Sequence, residues 1–310
     1  MFDGLLASGT PLILASLGAL VSELGGTLAI CIEGFIAAGS FFSFVFAAKT
    51  HSLFLACLLV FILCGLTAWA IARIVRALHA DPFIAALAFN IFANGLTASL
   101  SQTLFGSKGT IRLSATLAVS TLPQTDIPFI RNIPLAGDML MPLNPLAVTA
   151  LLAALVLFVF VRYTKPGLRL LAAGTAPEAV RERGLHPEWY RETAWAAAGA
   201  LAGLAGAALT FRLGVYVPGN SAGRGWIALA AVYLGGKNVF GVTGAALLFA
   251  AAERIAFGAQ GRFAAAATAL SGLPSFIALL CFVLTSARSH SFFSHRQKIP
   301  SQSKSRGTTG

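Results

Sequence analysis

The chain has 310 residues, of which 57% are hydrophobic and 11% charged, and its mean hydropathy is +0.80. Soluble domains carry about 25% charged residues, so this composition excludes an ordinary soluble domain and defines an all-α polytopic membrane protein. The formal net charge of +11 arises from 22 Lys and Arg scattered at the ends of apolar runs and in the tail, a distribution that argues for membrane topology and against nucleic-acid binding.

A hydrocarbon core of about 30 Å takes about 20 residues of helix to cross. Runs such as Leu146 to Val161 show no strand-like alternation, so helices satisfy the backbone in lipid. Nine spans are expected, with eight and ten as the bounds. The first apolar run, Pro11 to Leu24, is short and ends at Ser22-Glu23 before Gly25-Gly26. The second, Leu28 to Ala48, carries Glu33-Gly34. An acidic side chain at membrane depth costs about 2.5–3.5 kcal/mol and faces a bundle interior or a cavity. Glu33 therefore reads equally as a path or interface residue and as the partner of a broken helix end.

Ser52 to Val75 is the third span, closed by Arg73, Arg76 and His79, and Asp81-Pro82 opens a fourth that runs to about Leu104. Asn90 and Asn94 lie one turn apart on it and share a face. With Thr97 and Ser101 they make a polar stripe, which either lines a water path or bonds to neighbouring helices. Residues 106–144, with Pro123, Pro128, Pro134 and Pro142, form a long connection expected outside the membrane. Pro145 to Tyr163 is the fifth span.

Lys165 to Glu192 holds four of the eleven acidic residues and is the longest strongly polar interruption between apolar segments. Pro177 sits where a helix begins, Glu178 in its first turn and Gly184 where it ends, so Pro177 to Arg183 is expected as a short, charged, water-facing helix. Thr193 to Phe211 follows, with Gly199, Gly203 and Gly206 spaced for close packing. Gly225 to Leu234 and Val239 to Glu253 are short spans separated by GGKN, a break that suits discontinuous helices buried in protein. Ala264 to Ala287 is the last span, and 288–310 is a basic tail of disordered composition.

With nine spans and the C-terminus inside, Arg73, Arg76, Lys165, Arg169, Arg181, Arg183, Arg191, Lys237 and the tail face the cytoplasm. Lys49, Lys108, Arg112, Arg131, Arg224 and Arg262 fall outside, a bias that follows the positive-inside rule. The 165–192 segment is thus expected to be cytoplasmic.

No GxxxxGK[ST] loop is present: Gly236-Lys237 is followed by Asn238. Neither HExxH nor GxSxG occurs, and the five histidines do not gather with acids or nucleophiles, so no catalytic set, metal site or cofactor is expected. Cys31, Cys57, Cys64 and Cys281 lie in apolar runs as packing thiols. On residues alone, the polar stripe and the broken spans serve a secondary transporter or channel as well as any other carrier.

Four stretches together resemble the permease subunits of bacterial ABC importers of the branched-chain amino acid and ribose superfamily, in its nucleoside and simple-sugar branch. They are TPLILASLGALVSELGGTLAICIEGFIAAG from Thr10, AFNIFANGLTASL from Ala88, LRLLAAGTAPEAVRERG from Leu168 and AGRGWIALAAVYLGGKNVFGVTG from Ala222. Ala173, Val180 and the basic tail depart from the pattern. The resemblance implies a type II-like fold, location in the bacterial inner membrane, and no catalysis by this chain. It also implies a separate ABC ATPase, a second and different permease, and an extracytoplasmic solute-binding protein. Pro177, Glu178, Arg181, Arg183 and Gly184 would form the coupling helix, and Glu33, Asn90, Asn94 and Thr97 would face the path or the subunit interface. The implied solute is a nucleoside-like molecule, with riboflavin or a simple sugar as alternatives.

Overall fold

The computed structural model describes residues 4–107, 109–112 and 143–260. In chain order these form α1 (Leu5–Leu24), α2 (Ile32–Thr50), α3 (Leu53–Ala77), α4 (Pro82–Phe105), β1 (Ile111–Arg112), α5 (Pro145–Tyr163), α6 (Lys165–Thr175), α7 (Pro177–Glu182), α8 (Pro187–Leu213), β2 (Val215–Tyr216), α9 (Arg224–Leu234) and α10 (Val239–Gln260).

Local chemistry sets most of the helix starts. The side chains of Ser52, Asp81, Asn144 and Thr164 accept the backbone N–H of Leu55, Phe83, Ala147 and Gly167, satisfying donors that a first turn leaves unpaired. Proline opens α4, α5, α6, α7 and α8, where its missing N–H costs nothing.

Seven of the expected spans are helices long and apolar enough to cross a bilayer. The first starts at Leu5 rather than Pro11, with Pro11 inside the helix, and so reaches full length. The second starts at Ile32 rather than Leu28, and α10 runs on to Gln260 rather than stopping at Glu253. Gly225 to Leu234 forms the 11-residue α9, about 16 Å long and too short to cross. The expected span at 264–287, the tail at 288–310 and the bulk of the 106–144 connection lie outside the described residues.

Three helices are buried almost all round. α1 is apolar on every side and is the most enclosed, followed by α8 and α2. The outward faces of α3, α4 and α5 carry Phe54, Leu66, Ile91 and Val156, as lipid-facing surfaces do. α8 is the axis against which α1, α2 and α3 pack. Its small residues make this possible: a methyl added to Gly206 would overlap the Ile36 carbonyl of α2, and Gly203 sits against Cys64 of α3. At the far end of α8 from α7, β1 and β2 pair antiparallel, Ile111 opposite Tyr216, tying the start of the long connection to the chain after α8.

Candidate functional site

The centre of the bundle contains two helix N-termini. Lys237, just past α9, donates to Glu23 at the end of α1 at 2.6 Å, so α9 ends level with that end of the bundle. Being only about 16 Å long, α9 therefore starts about halfway along its neighbours. There its first turn meets the first turn of α2: Gly225 lies against the Glu33 backbone, where a Cβ would come within 2.6 Å. Non-helical chain precedes both helices, and their first N–H groups need partners within the protein.

Glu33 supplies one set. Its carboxylate accepts the Gly223 N–H at 2.9 Å through Oε1 and the Gly225 N–H at 2.7 Å through Oε2. The side chain is only partly buried, yet it stands in the first turn of α2 and caps the first turn of α9. Two positive helix ends thus converge on one negative charge, which is how an acidic residue is tolerated at this depth.

Asn90 on α4 supplies the other. Its Oδ1 accepts the Gly34 N–H at 2.7 Å and its Nδ2 donates to the Ile30 carbonyl at 3.0 Å, closing the start of α2 and the loop before it. The residue is 8% exposed. Thr97 is buried as well, and bonds back to the Ala93 and Asn94 carbonyls. Asn94 is exposed and donates to the Asn90 carbonyl at 2.9 Å. The stripe therefore divides: Asn90 joins Glu33 at the junction of broken helices, while Asn94 reaches the α4 surface.

At the end of the bundle where α1 stops, α6 packs by Gly174 against Leu24 to Gly26, and the short α7 follows it. Residues 165–175, part of the polar interruption, form the helix α6. The Thr164 cap and Pro166 start it, and Gly167, Leu170 and Ala173 form its buried face. α7 spans Pro177–Glu182, and only Val180 is buried in it. Arg183 closes it, and Gly184, at φ 72°, turns the chain out of the helix with its N–H on the Arg181 carbonyl at 2.8 Å. Glu178, Arg181, Arg183 and Gly184 are exposed and Pro177 is half-buried. Arg181 bonds Glu178 at 2.8 Å and also Glu188 in the first turn of α8. The bond to Glu188 and the nearby Glu178 charge hold its guanidinium above the ordinary range.

Two further charged contacts join residues distant in sequence. Arg224, expected in an external connection, is the first residue of α9; it pairs with Glu253 of α10, each side chain 17% exposed, and donates to the Asn220 carbonyl at 2.7 Å. Glu192 of α8 is buried beside Arg76 and Arg73 of α3. Neither contact had a local signal, since Glu192 ends the polar 165–192 segment and Arg224 follows a polar connection. Among the described residues, no group of three His, Cys, Asp or Glu side chains could hold a metal ion.

Seven helices long and apolar enough to cross a bilayer, one of which, α2, meets the start of the short α9 inside the bundle, define a polytopic integral membrane protein. The family model for the branched-chain amino acid transport system / permease component matches residues 1–282, and the chain belongs to that family. It is a permease of an ABC transporter, a multi-pass membrane protein that in a bacterium lies in the inner membrane. Such permeases work with an ATPase and a substrate-binding partner. It is 32% identical over 238 residues to the putative glucose ABC transporter permease protein TsgC13 of Haloferax volcanii, covering 75% of this chain and 69% of that one. It is 30% identical over 257 residues to the nucleoside ABC transporter permease protein NupC of Lactococcus lactis, covering 79% and 78%. Against the guanosine ABC transporter permease protein NupQ of Bacillus subtilis the identity is 27% over 260 residues, covering 81% and 79%. These relatives bear out the resemblance to the nucleoside and simple-sugar branch. No solved structure shows a significant match.

Proposed function

We propose that this chain is one of two different permeases in an ABC importer for a nucleoside-like solute, itself non-catalytic. In this reading α7 docks a separate ATPase on the cytoplasmic side, and an extracytoplasmic binding protein delivers the solute. The observation that carries the docking is the form of α7: one buried residue, Val180, anchors a short helix at which Glu178, Arg181 and the closing Arg183 are exposed. Exposed ion pairs contribute at most about 1 kcal/mol, so these side chains are available to a partner at little cost. The solute class is supported by two relatives named for nucleosides, with a simple sugar next through the glucose relative, and riboflavin as the remaining alternative. ATPase closure would move α7, and the permeases would rock between outward- and inward-open states. Glu33, Asn90, Asn94 and Thr97 would lie along the path or the subunit interface.

The test is ATP hydrolysis by the reconstituted permeases and ATPase, with the binding protein titrated in and nucleosides, riboflavin and pentoses tried in turn. Stimulation by nucleosides is expected; stimulation by sugars alone moves the substrate, and uptake that persists without ATP on an ion gradient overturns the ABC import reading. Replacing Glu178 and Arg181 together should abolish uptake with membrane insertion intact, and normal uptake would remove α7 from docking. A cysteine at Asn94, with the native thiols removed, should lose reactivity to a polar reagent while solute is cycling. Unchanged labelling in every state would assign Asn94 to packing.

A further inference from the structure

Three polar residues in the first two turns of α8 hold three different elements. Glu188 accepts from Arg181 of α7. Arg191 donates to the Ala173 carbonyl of α6 at 3.3 Å. Glu192 faces α3, with Arg76 at 2.8 Å and Arg73 at 3.7 Å from its carboxylate. The start of α8 is therefore where α6, α7 and α3 are joined.

The Glu192 contact is unlike the others. The residue is 2% exposed, and a carboxylate buried that far is costly unless a cation stays beside it. Yet neither oxygen receives a hydrogen bond of good geometry among the described residues, although the Arg76 nitrogen is close. The attraction is that of charge to charge, which tolerates sliding in a way that an aligned hydrogen bond does not. Two cations serve the one carboxylate, and they are three residues apart on α3, a separation of about 4.5 Å along its axis. The more distant one is held in reserve: the Arg73 guanidinium lies over the Trp69 ring, 5.5 Å from its centroid.

The surface on which α3 would move also repeats, with a step of four residues, about 6 Å. Gly203 of α8 meets Cys64 and Val60, and Gly199 meets Ala68 and Cys64, so contacts four residues apart on α3 face glycines four residues apart on α8. A displacement of α3 by about one turn therefore returns similar small side chains to the same glycines, as one-turn steps of packed helices do elsewhere.

We propose that Glu192 is a positioning residue that passes the movement of α7 to α3, its carboxylate changing partner from Arg76 to Arg73 as α3 slides along α8. The charge is paired at both ends of the stroke. A membrane helix whose main packing partners are α8 and α2 is thereby made to follow α7. This inference rests on the reading of α7 as the docking helix.

The experiment uses the whole transporter in proteoliposomes and reads solute moved per ATP hydrolysed. Glu192→Gln should leave the ATPase bound and active while that ratio falls about tenfold, within the range of ordinary coupling energies, and Glu192→Asp should recover part of it. Spin labels at Leu78 and Trp189, both exposed, read the position of α3 against α8. Arg76→Gln, which leaves only Arg73, and Arg73→Gln, which leaves only Arg76, should shift the label separation in opposite directions. A pair that only stabilises the fold would reduce assembled protein and both rates together, with the ratio and the label separation unchanged, and that result overturns the proposal. Failure of the docking reading is separable: there the Glu178/Arg181 double variant transports normally whatever Glu192→Gln does. If the relay alone is wrong, the double variant fails and Glu192→Gln keeps a normal ratio.

Discussion

Glu33 links the two broken helices, and its replacement has a size that follows from the geometry. Its carboxylate holds two backbone N–H groups, at 2.9 and 2.7 Å, at the start of α9. A hydrogen bond to a charged group is worth about 1.5–3 kcal/mol, and a buried N–H left without a partner costs a similar amount. Glu33→Ala removes both acceptors and should cost about 3–6 kcal/mol. Glu33→Gln keeps one oxygen but turns an amide N–H toward the other donor, for a loss of about 2–3 kcal/mol. The assay is amide hydrogen exchange of the purified protein in nanodiscs, followed at residues 223–227. Since 1.4 kcal/mol is a factor of ten, exchange there in Glu33→Gln should quicken by about 30- to 100-fold, while the buried middle of α1 keeps its protection. Exchange at 223–227 within about threefold of the unmodified protein would refute the view that this carboxylate holds the start of α9.

Asn90→Ala removes an acceptor and a donor at once, stranding the Gly34 N–H and the Ile30 carbonyl; a loss of about 2–4 kcal/mol should appear as a lower unfolding temperature in detergent. Two glycine replacements should act with opposite sign. Gly206→Ala forces a methyl into the Ile36 carbonyl and should cost at least about 1–3 kcal/mol, whereas Gly95→Ala, with nothing within 4 Å, should gain up to about 1 kcal/mol of helix propensity. Equal melting behaviour of the two would contradict the α2–α8 packing. Arg224→Gln and Glu253→Gln should each destabilise more than the double replacement does, because a single change leaves a largely buried charge without its partner. A double-mutant cycle on unfolding reads the coupling, and strict additivity would show that the pair contributes nothing.

Much of this protein was legible because membrane helices announce themselves locally. Asp81-Pro82 and Asn144-Pro145 start helices by capping and by a proline that needs no N–H, whatever lies around them. Pro177, Glu178 and Gly184 marked α7 for the same reason, and lipid demands that spans be helical. The half-length of α9 was visible as a short apolar run bounded by glycines, but its placement was not. Glu33 reaches partners 190 and 192 residues further along the chain, and no local pattern encodes which helix end will lie beside it.

Composition and periodicity by themselves determined that the chain is a bundle of membrane helices with one charged segment between them. Only the tertiary structure decided which polar groups that bundle brings together: Glu33 with the start of α9, Asn90 with the start of α2, and Glu192 with two arginines of α3. The reason is physical. A helix closes its hydrogen bonds within four residues and so is written locally, whereas an interrupted helix in lipid has to find partners for its open end, and those come from whichever distant side chain the packing delivers.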